Sequence, residues 1–156
     1  MKSTALVAYF SWSGSVKALA ERIHEEVGGD IFEIAPVEPY PTDYNACIDV
    51  AKKEQEAHAR PALSACVEDI GRYGVVFLGY PNWWSSIPMP VASFLEGYDF
   101  TGKTIAPFCS HGGGGVGRSL SAIAKLAPHA VLTKALVVHD GGAADVSAWL
   151  AEVVEE

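Results

Sequence analysis

The feature that most constrains the fold is a series of short apolar runs that alternates along the chain with helical patterns. Four runs, at 5–10, 75–80, 104–109 and 135–138, carry few or no polar residues. Continuous apolar runs are typical of strands that are covered on both faces, as in a parallel sheet. Residues 30–34 alternate between polar and apolar side chains instead, which predicts an edge strand.

Apolar stripes at helical spacing lie between the predicted strands. The four stripes are Val16, Leu19, Ala20, Ile23 and Val27; Val91, Phe94 and Leu95; Val116, Leu120, Ile123 and Leu126; and Val146, Trp149, Leu150 and Val153. A polar helix is predicted over 44–59, because Arg60-Pro61 stops the pattern. Strand and helix alternate about five times, which predicts one doubly wound α/β domain over residues 1–156, a three-layer sandwich.

The composition excludes several function classes. The net charge of −8 argues against nucleic acid as a partner, since phosphate binding needs clustered lysine and arginine. An acidic surface either keeps a small protein soluble or steers it to basic partners. No apolar stretch approaches the roughly 20 residues that span a bilayer, and polar residues interrupt the N-terminal apolar region too early for a signal peptide.

The cysteine and histidine usage predicts a reducing compartment and no metal. Cys47, Cys66 and Cys109 are widely separated and form no Cys-x-x-Cys motif, which favours free thiols in the cytoplasm over a disulfide framework. The five histidines are scattered, without metal-ligand spacing.

Three turns of unusual composition follow predicted strands. In an open α/β sheet, ligands bind beyond the carboxyl ends of the strands, where these turns converge. The first turn, Ser11-Trp12-Ser13-Gly14-Ser15, places hydroxyls and a glycine at the start of a helix. Hydroxyls and free N–H groups at a helix N-terminus favour an anion such as a phosphate monoester, and the alternative is an ordinary serine N-cap.

The second turn, Pro81-Asn82-Trp83-Trp84-Ser85-Ser86, carries two adjacent tryptophans. Both cannot face the core from an extended turn, so at least one is predicted to be exposed or half-exposed. One interpretation is a stacking platform for a planar heteroaromatic ring. The alternative is that one tryptophan plugs the end of the sheet while the other packs under the next helix.

The third turn, Ser110-His111 followed by the glycines at 112–115, satisfies two familiar patterns at once. It matches a P-loop only with Arg118 in place of the lysine, and it matches the dinucleotide fingerprint at Gly112, Gly114 and Gly117. Both motifs normally open the first βαβ unit, whereas only about one more strand follows here. The remaining interpretation is that the glycines bring bare backbone close to the edge of a ligand.

Taken together, these motifs resemble the flavodoxin-like proteins. The early S-x-S/T-G turn, the strand end GYP-x-WW and the segment FCSHGG carry the likeness. The pieces EPYP, KKEQE, ARPAL, FLGYPNWW, PMPV, FLE, YDFTGKTIAPFCSHGG and GRSL, spread over 38–120, make the chain similar to the short-chain flavodoxin group.

The resemblance implies a five-stranded parallel sheet in the order 2-1-3-4-5 and non-covalently bound FMN. The implied cofactor-binding residues are Ser11, Trp12, Ser13, Gly14, Ser15 and Val16 around the phosphate, with Pro81, Asn82, Trp83, Trp84, Ser85, Cys109, Ser110, His111, Gly112 and Gly113 around the ring. Two positions depart from the family pattern. Ser15-Val16 stands where Asn-Thr is common, which removes a hydroxyl, and Trp12 stands where polar or basic residues are common.

The implied function is low-potential electron transfer, for which no catalytic residue is predicted because the flavin supplies the chemistry. The expected partners are redox proteins with basic docking faces, and the expected state is a monomer or weak dimer. The competing interpretation is an NAD(P)H-dependent quinone or nitro reductase, in which His111 hydrogen-bonds a quinone or flavin oxygen rather than capping the glycine turn. Nothing in the sequence favours a third class, a flavin-binding sensor or storage domain.

Overall fold

A computed structural model describes residues 4–12, 14–111, 117–139 and 146–153. Its strands are β1 (Thr4–Tyr9), β2 (Asp30–Glu33), β3 (Tyr73–Pro81), β4 (Thr104–His111), β5 (Val131–Leu132) and β6 (Leu136–His139). Its α-helices are α1 (Ser15–Val27), α2 (Tyr44–Glu56), α3 (Met89–Glu96), α4 (Ser119–Leu126) and α5 (Val146–Val153). The alternation of strand and helix predicted from the sequence is confirmed.

The strands form one parallel sheet in the order β2-β1-β3-β4, with both β5 and β6 paired to β4. This is the predicted order 2-1-3-4-5, except that the fifth position is divided between two short strands. β5 pairs with Thr104 and Ile105, and β6 pairs with the segment from Phe108 to His111. Between them the Lys134 carbonyl accepts a hydrogen bond from the Trp149 indole at 2.9 Å.

Both faces of the sheet are covered, which explains why the strands read as continuous apolar runs. Along β1, Leu6 and Ala8 belong to the core on the side of α3 and α4, whereas Val7 and Tyr9 belong to the core on the side of α1 and α5. In the part of the chain that the structure describes, no helix is long and apolar enough to cross a membrane.

The polar helix is shorter than the pattern at 44–59 predicts. α2 ends at Glu56 because His58 adopts a left-handed backbone with φ 52°. The His58 N–H then bonds the Gln55 carbonyl at 3.2 Å, and the Ala59 N–H bonds the Glu54 carbonyl at 2.9 Å. This is the double hydrogen bond of a Schellman motif, with histidine where glycine is usual.

Candidate functional site: a cleft at the carboxyl edge of the sheet

A cleft of about 450 Å³ opens where the turns after β1 and β3 meet the end of β4. Its lining residues are Trp12, Ser15, Tyr44, Ile48, Pro81, Asn82, Trp83, Trp84, Ser110 and His111. A volume of this size lies within the range of sites for small organic ligands. The topology therefore brings together residues that lie up to a hundred positions apart in sequence.

The turn after β1 closes over a serine hydroxyl. Ser11 Oγ accepts hydrogen bonds from the N–H groups of Gly14 at 3.1 Å and Lys17 at 3.3 Å. These bonds occupy both acceptor positions of the hydroxyl, so its own proton is the group left to offer a ligand. The N-cap residue of α1 is Gly14 and not a serine, so the predicted serine N-cap is wrong, although Ser11 Oγ accepts the Lys17 N–H in the first turn of the helix.

Gly14 makes this turn possible. It takes φ 100°, a conformation that side chains with a Cβ rarely adopt, and a Cβ built there meets nothing within 4 Å. The space beside the turn is therefore open. The first turn of α1 carries no acidic residue, so the helix dipole favours an anion there without opposition from a neighbouring carboxylate.

Two contacts tie this turn to the rest of the cleft. Ser15 Oγ lies 3.3 Å from Ser110 Oγ, which joins the start of α1 to the end of β4. The Trp12 indole N–H donates to the Pro41 carbonyl at 2.9 Å, and its ring lies 6.2 Å from that of Tyr44. Trp12 therefore links the first turn to the segment that leads into α2.

The turn after β3 is backbone-strained. Trp83 and Ser86 exchange two backbone hydrogen bonds, each of 3.0 Å, so that Trp84 and Ser85 are the central residues of a tight turn. Both central residues have positive φ, 51° and 63°, as in a type I′ turn, which normally takes glycine or asparagine. Such positions cost of order 1–3 kcal/mol each and persist only where surrounding contacts hold them.

The contacts that hold the strained turn come from α2 and from the segment before α4. The Trp84 carbonyl accepts from Arg118 Nη2 at 3.2 Å and from Gln55 Nε2 at 3.3 Å. The Ser85 carbonyl accepts from the Arg118 N–H at 2.5 Å. Gly117 allows this approach, because a Cβ there would lie 2.6 Å from the Ser85 oxygen.

The two adjacent tryptophans have different surroundings. Trp83 is half-buried and packs edge-to-face on Phe10 at 5.3 Å and Tyr40 at 5.1 Å between ring centroids. Trp84 is 41% exposed, donates its indole N–H to the Ile48 carbonyl at 2.9 Å, and has the Lys52 ammonium 5.3 Å from its ring centroid. The prediction that at least one of the pair is exposed is confirmed.

The end of β4 supplies the third wall. Ser110 and His111 line the cleft, and the His111 ring lies edge-on to the His139 ring with centroids 5.2 Å apart. Cys109, one position earlier, is fully buried, and burial raises the pKa of its thiol to about 12. Cys109 and the equally buried Val16 therefore offer only backbone groups to a ligand.

Not every predicted site residue can be placed. Ser13, Gly112 and Gly113 lie outside the described residues. Tyr44 and Ile48, which line the cleft from α2, are missing from the sequence prediction. Tyr44 is the first residue of α2 and is 65% exposed. A large aromatic side chain on the polar face of a predicted helix is the sequence signal that could have identified it as a site residue.

The described ranges contain no cluster of three or more histidine, cysteine, aspartate or glutamate side chains that could hold a metal ion. The polar and aromatic side chains around the cleft are instead hydroxyls, indoles, a phenol, an imidazole and an amide, and Ile48 and Pro81 add apolar surface. Such a set suits an organic ligand that has both a polar and a flat aromatic part.

Comparisons with known proteins agree with this geometry. The sequence model of the family described as Flavodoxin matches residues 4–153. The chain is 34% identical to a candidate flavoprotein from Bacteroides eggerthii, with a TM-score of 0.86 over 99% of this chain and 100% of that one. A candidate flavoprotein from Bacteroides uniformis is 26% identical, with a TM-score of 0.81 over 96% of each chain.

A flavoprotein from Lactobacillus acidophilus, solved in complex with FMN, shares the fold at 21% identity. Its TM-score is 0.72 over 86% of this chain and 92% of that one. A search of curated proteins found no match to the chain.

Proposed function

Because the chain belongs to the flavodoxin family, we propose that its cleft binds FMN and that the protein transfers electrons at low potential. The observation that carries the proposal is the division of the cleft into a hydroxyl-lined helix start and an aromatic turn. These two ends suit the phosphorylated tail and the flat ring of one ligand. Bound FMN would supply the redox chemistry, while the protein sets its environment.

The helix-start end fits a phosphate monoester. The Ser11 hydroxyl proton, the Ser15 hydroxyl and the open space beside Gly14 form a site of neutral donors at the positive end of α1. The turn at 11–15 contains no lysine or arginine, so phosphate binding depends on hydrogen bonds and the helix dipole.

The aromatic end fits a planar ring. Trp12, Trp83 and Trp84 line the cleft together with Ser110 and His111. Indole rings exclude water from a bound ring and offer flat surfaces for stacking. The strained turn that carries both tryptophans is held in place by Arg118 and Gln55, so this wall is ordered before a ligand arrives.

The charge of the protein favours a low potential. Adding an electron to a bound ligand adds negative charge within a protein that already carries −8. The net field opposes that step and lowers the potential at which it occurs. The same field favours transient docking of redox proteins with basic faces, where electrostatic steering raises the association rate. We place this activity in the cytoplasm, where the three thiols stay reduced.

A second candidate is an NAD(P)H-dependent quinone or nitro reductase. The observation that favours it is a groove with basic side chains beside the strained turn. In that function the same cleft would hold the flavin, and a small acceptor would replace the partner protein.

An electron-transfer assay separates the two candidates. The FMN-loaded protein is reduced with dithionite and mixed with cytochrome c, a basic one-electron acceptor, and separately with ferricyanide, an anionic one. A carrier reduces cytochrome c at a rate that falls as salt is added, whereas the rate with ferricyanide rises, because screening acts oppositely on attraction and repulsion. NADPH without another reductant is expected to leave the flavin oxidised. Rapid bleaching by NADPH, with turnover of a quinone, would overturn the carrier in favour of the reductase.

A further inference from the structure

A second cavity, a groove of about 570 Å³, borders the strained turn at Ser86. Its walls come from the end of α2, from the segment between Ser86 and Ala92, and from α4. Four basic side chains line it: His58, Arg60, Arg118 and Lys125. Its size lies within the range of sites for small organic ligands.

The charge of this groove contrasts with that of the whole protein. Glu56 is the carboxylate among its lining residues, against four basic groups, in a chain of net charge −8. Arg60 is already paired with Glu96, outside the groove lining, at 3.0 Å. Among the described residues, neither Arg118 nor Lys125 forms an ion pair. Within the described ranges, the positive charges of Arg118 and Lys125 are therefore not paired with a carboxylate.

The backbone around the groove is unusual as well. His58, at the C-terminal end of α2, is one of three non-glycine residues with positive φ in the described part of the chain, and the other two are Trp84 and Ser85. Glycine would adopt this helix-ending conformation without strain. Instead the position carries an imidazole that lines the groove.

Arg118 joins the groove to the cleft. Its guanidinium lines the groove and donates to the Trp84 carbonyl at 3.2 Å, while its backbone N–H donates to the Ser85 carbonyl. Ser86, the last residue of the strained turn, lines the groove, and Trp83 and Trp84 of the same turn line the cleft. One four-residue turn is thus the common wall of the two cavities.

We propose that the groove binds the diphosphate of a nucleoside diphosphate, the group that a pyridine dinucleotide carries in its adenosine half. The planar fork of Arg118 suits phosphate oxygens, Lys125 adds a point charge, and the Ser86 and Ser121 hydroxyls add further donors. The anion site does not rest on the proposed flavin chemistry, and binding of the diphosphate there does not require the ligand to reduce the flavin.

The test measures binding of ADP by calorimetry to the FMN-loaded protein at low salt, with adenosine as the uncharged comparison. Lys125→Glu removes a groove cation without altering a contact to the strained turn. Arg22→Glu makes the same change in charge on the exposed side of α1, far from the groove in sequence, and serves as the matched control. We expect ADP to bind and adenosine not to bind. We expect Lys125→Glu to weaken ADP about tenfold, the effect of losing one charge-assisted contact, and Arg22→Glu to change it less than twofold.

Several results would overturn the proposal. The first is that ADP does not bind the parent protein, and the second is that Lys125→Glu and Arg22→Glu weaken ADP binding equally. The third is that ADP releases FMN, which would place the anion at the helix-start end of the cleft. FMN affinity that is unchanged in Lys125→Glu shows that the variant is folded.

The two proposals fail separately. If FMN does not bind, the ADP titration is carried out on the protein alone, so the proposed function can fail while the groove stands. If FMN binds and ADP does not, the groove proposal fails while the function stands.

Discussion

The turn after β1 and the turn after β3 both bring the backbone to positive φ at the cleft, but the first does so at a glycine and the second at a tryptophan and a serine. Glycine adopts this conformation without strain, and a local hydrogen bond from the Gly14 N–H to Ser11 Oγ closes the turn. Trp84 and Ser85 are held by Arg118, Gln55 and the Ile48 carbonyl. The first turn is therefore locally determined, whereas the second depends on packing of α2 and α4 against it.

The largest expected effect on the free energy of unfolding comes from substituting the two tryptophans of the second turn one at a time. Trp83→Ala should lower the free energy of unfolding by about 3 kcal/mol, because it removes a half-buried indole packed on Phe10 and Tyr40. Trp84→Ala should cost about 1 kcal/mol or less, since its ring is exposed and loses one hydrogen bond and one cation–π contact. Urea denaturation of the two variants without FMN checks this, and equal losses would contradict the assigned packing.

The next effect tests whether the first turn depends on glycine alone. Gly14→Ala should lower the free energy of unfolding by about 1–2 kcal/mol, because alanine is strained at φ 100° although the space is open. Gly71→Ala is the matched control, since Gly71 is not in the left-handed region and its added Cβ would make only an ordinary contact. If both variants are equally stable, the backbone at Gly14 is not what the structure shows.

A third comparison concerns two neighbours on β4, since Ser110 lines the cleft whereas Cys109 lies in the core. Burial raises the pKa of Cys109 from its ordinary value of 9.0 to about 12, so the folded protein keeps a proton that the unfolded chain loses. Cys109 therefore has no effect on the pH dependence of the free energy of unfolding below about pH 9. Between about pH 9 and 12 the free energy of unfolding falls, and about 1 kcal/mol is lost by pH 10.

Denaturation at pH 7 and at pH 10 measures this loss. Cys109→Ala should lose less stability between the two pH values than the parent does, whatever its stability at pH 7. Cys66→Ala, at an exposed cysteine, should match the parent. Identical pH dependence of all three proteins would mean that Cys109 titrates as it does in the unfolded chain.

The smallest effect has the opposite sign. Ser85→Gly should raise the free energy of unfolding by about 0.5–1 kcal/mol, because relief of the left-handed strain exceeds the entropy that glycine loses on folding. A stabilised variant that binds FMN more weakly would mean that the strain holds the aromatic wall in place. Loss of stability would show that the serine side chain itself supports the turn.

The difference between the two turns also explains which parts of the fold and of the site can be predicted from the sequence. The strands and the exposed tryptophan are predictable because they follow from periodicity and loop composition, which are local. The role of Arg118 is not predictable from local pattern. In the sequence it stands only where a P-loop would have lysine, whereas in the structure its guanidinium hydrogen-bonds the second turn. That role exists only once α4 packs beside β3.

Two other differences have the same origin. Tyr44 and Ile48 reach the cleft because α2 docks on the indoles of Trp12 and Trp84, a tertiary contact with no sequence period. The fifth strand is divided at a point where the Lys134 carbonyl bonds Trp149, from the far end of the chain, and not a neighbouring strand. In each case the residues involved are distant in sequence, and no local pattern indicates that they meet.

A titration of the FMN-free protein with FMN, followed by tryptophan emission, shows whether the cleft holds the flavin. We expect saturable quenching of the indole emission and a yellow protein that keeps its colour through gel filtration. We also expect weaker binding by Gly14→Ala and unchanged binding by Gly71→Ala. A colourless protein whose emission does not change on addition of FMN would contradict the assignment of the cleft to FMN.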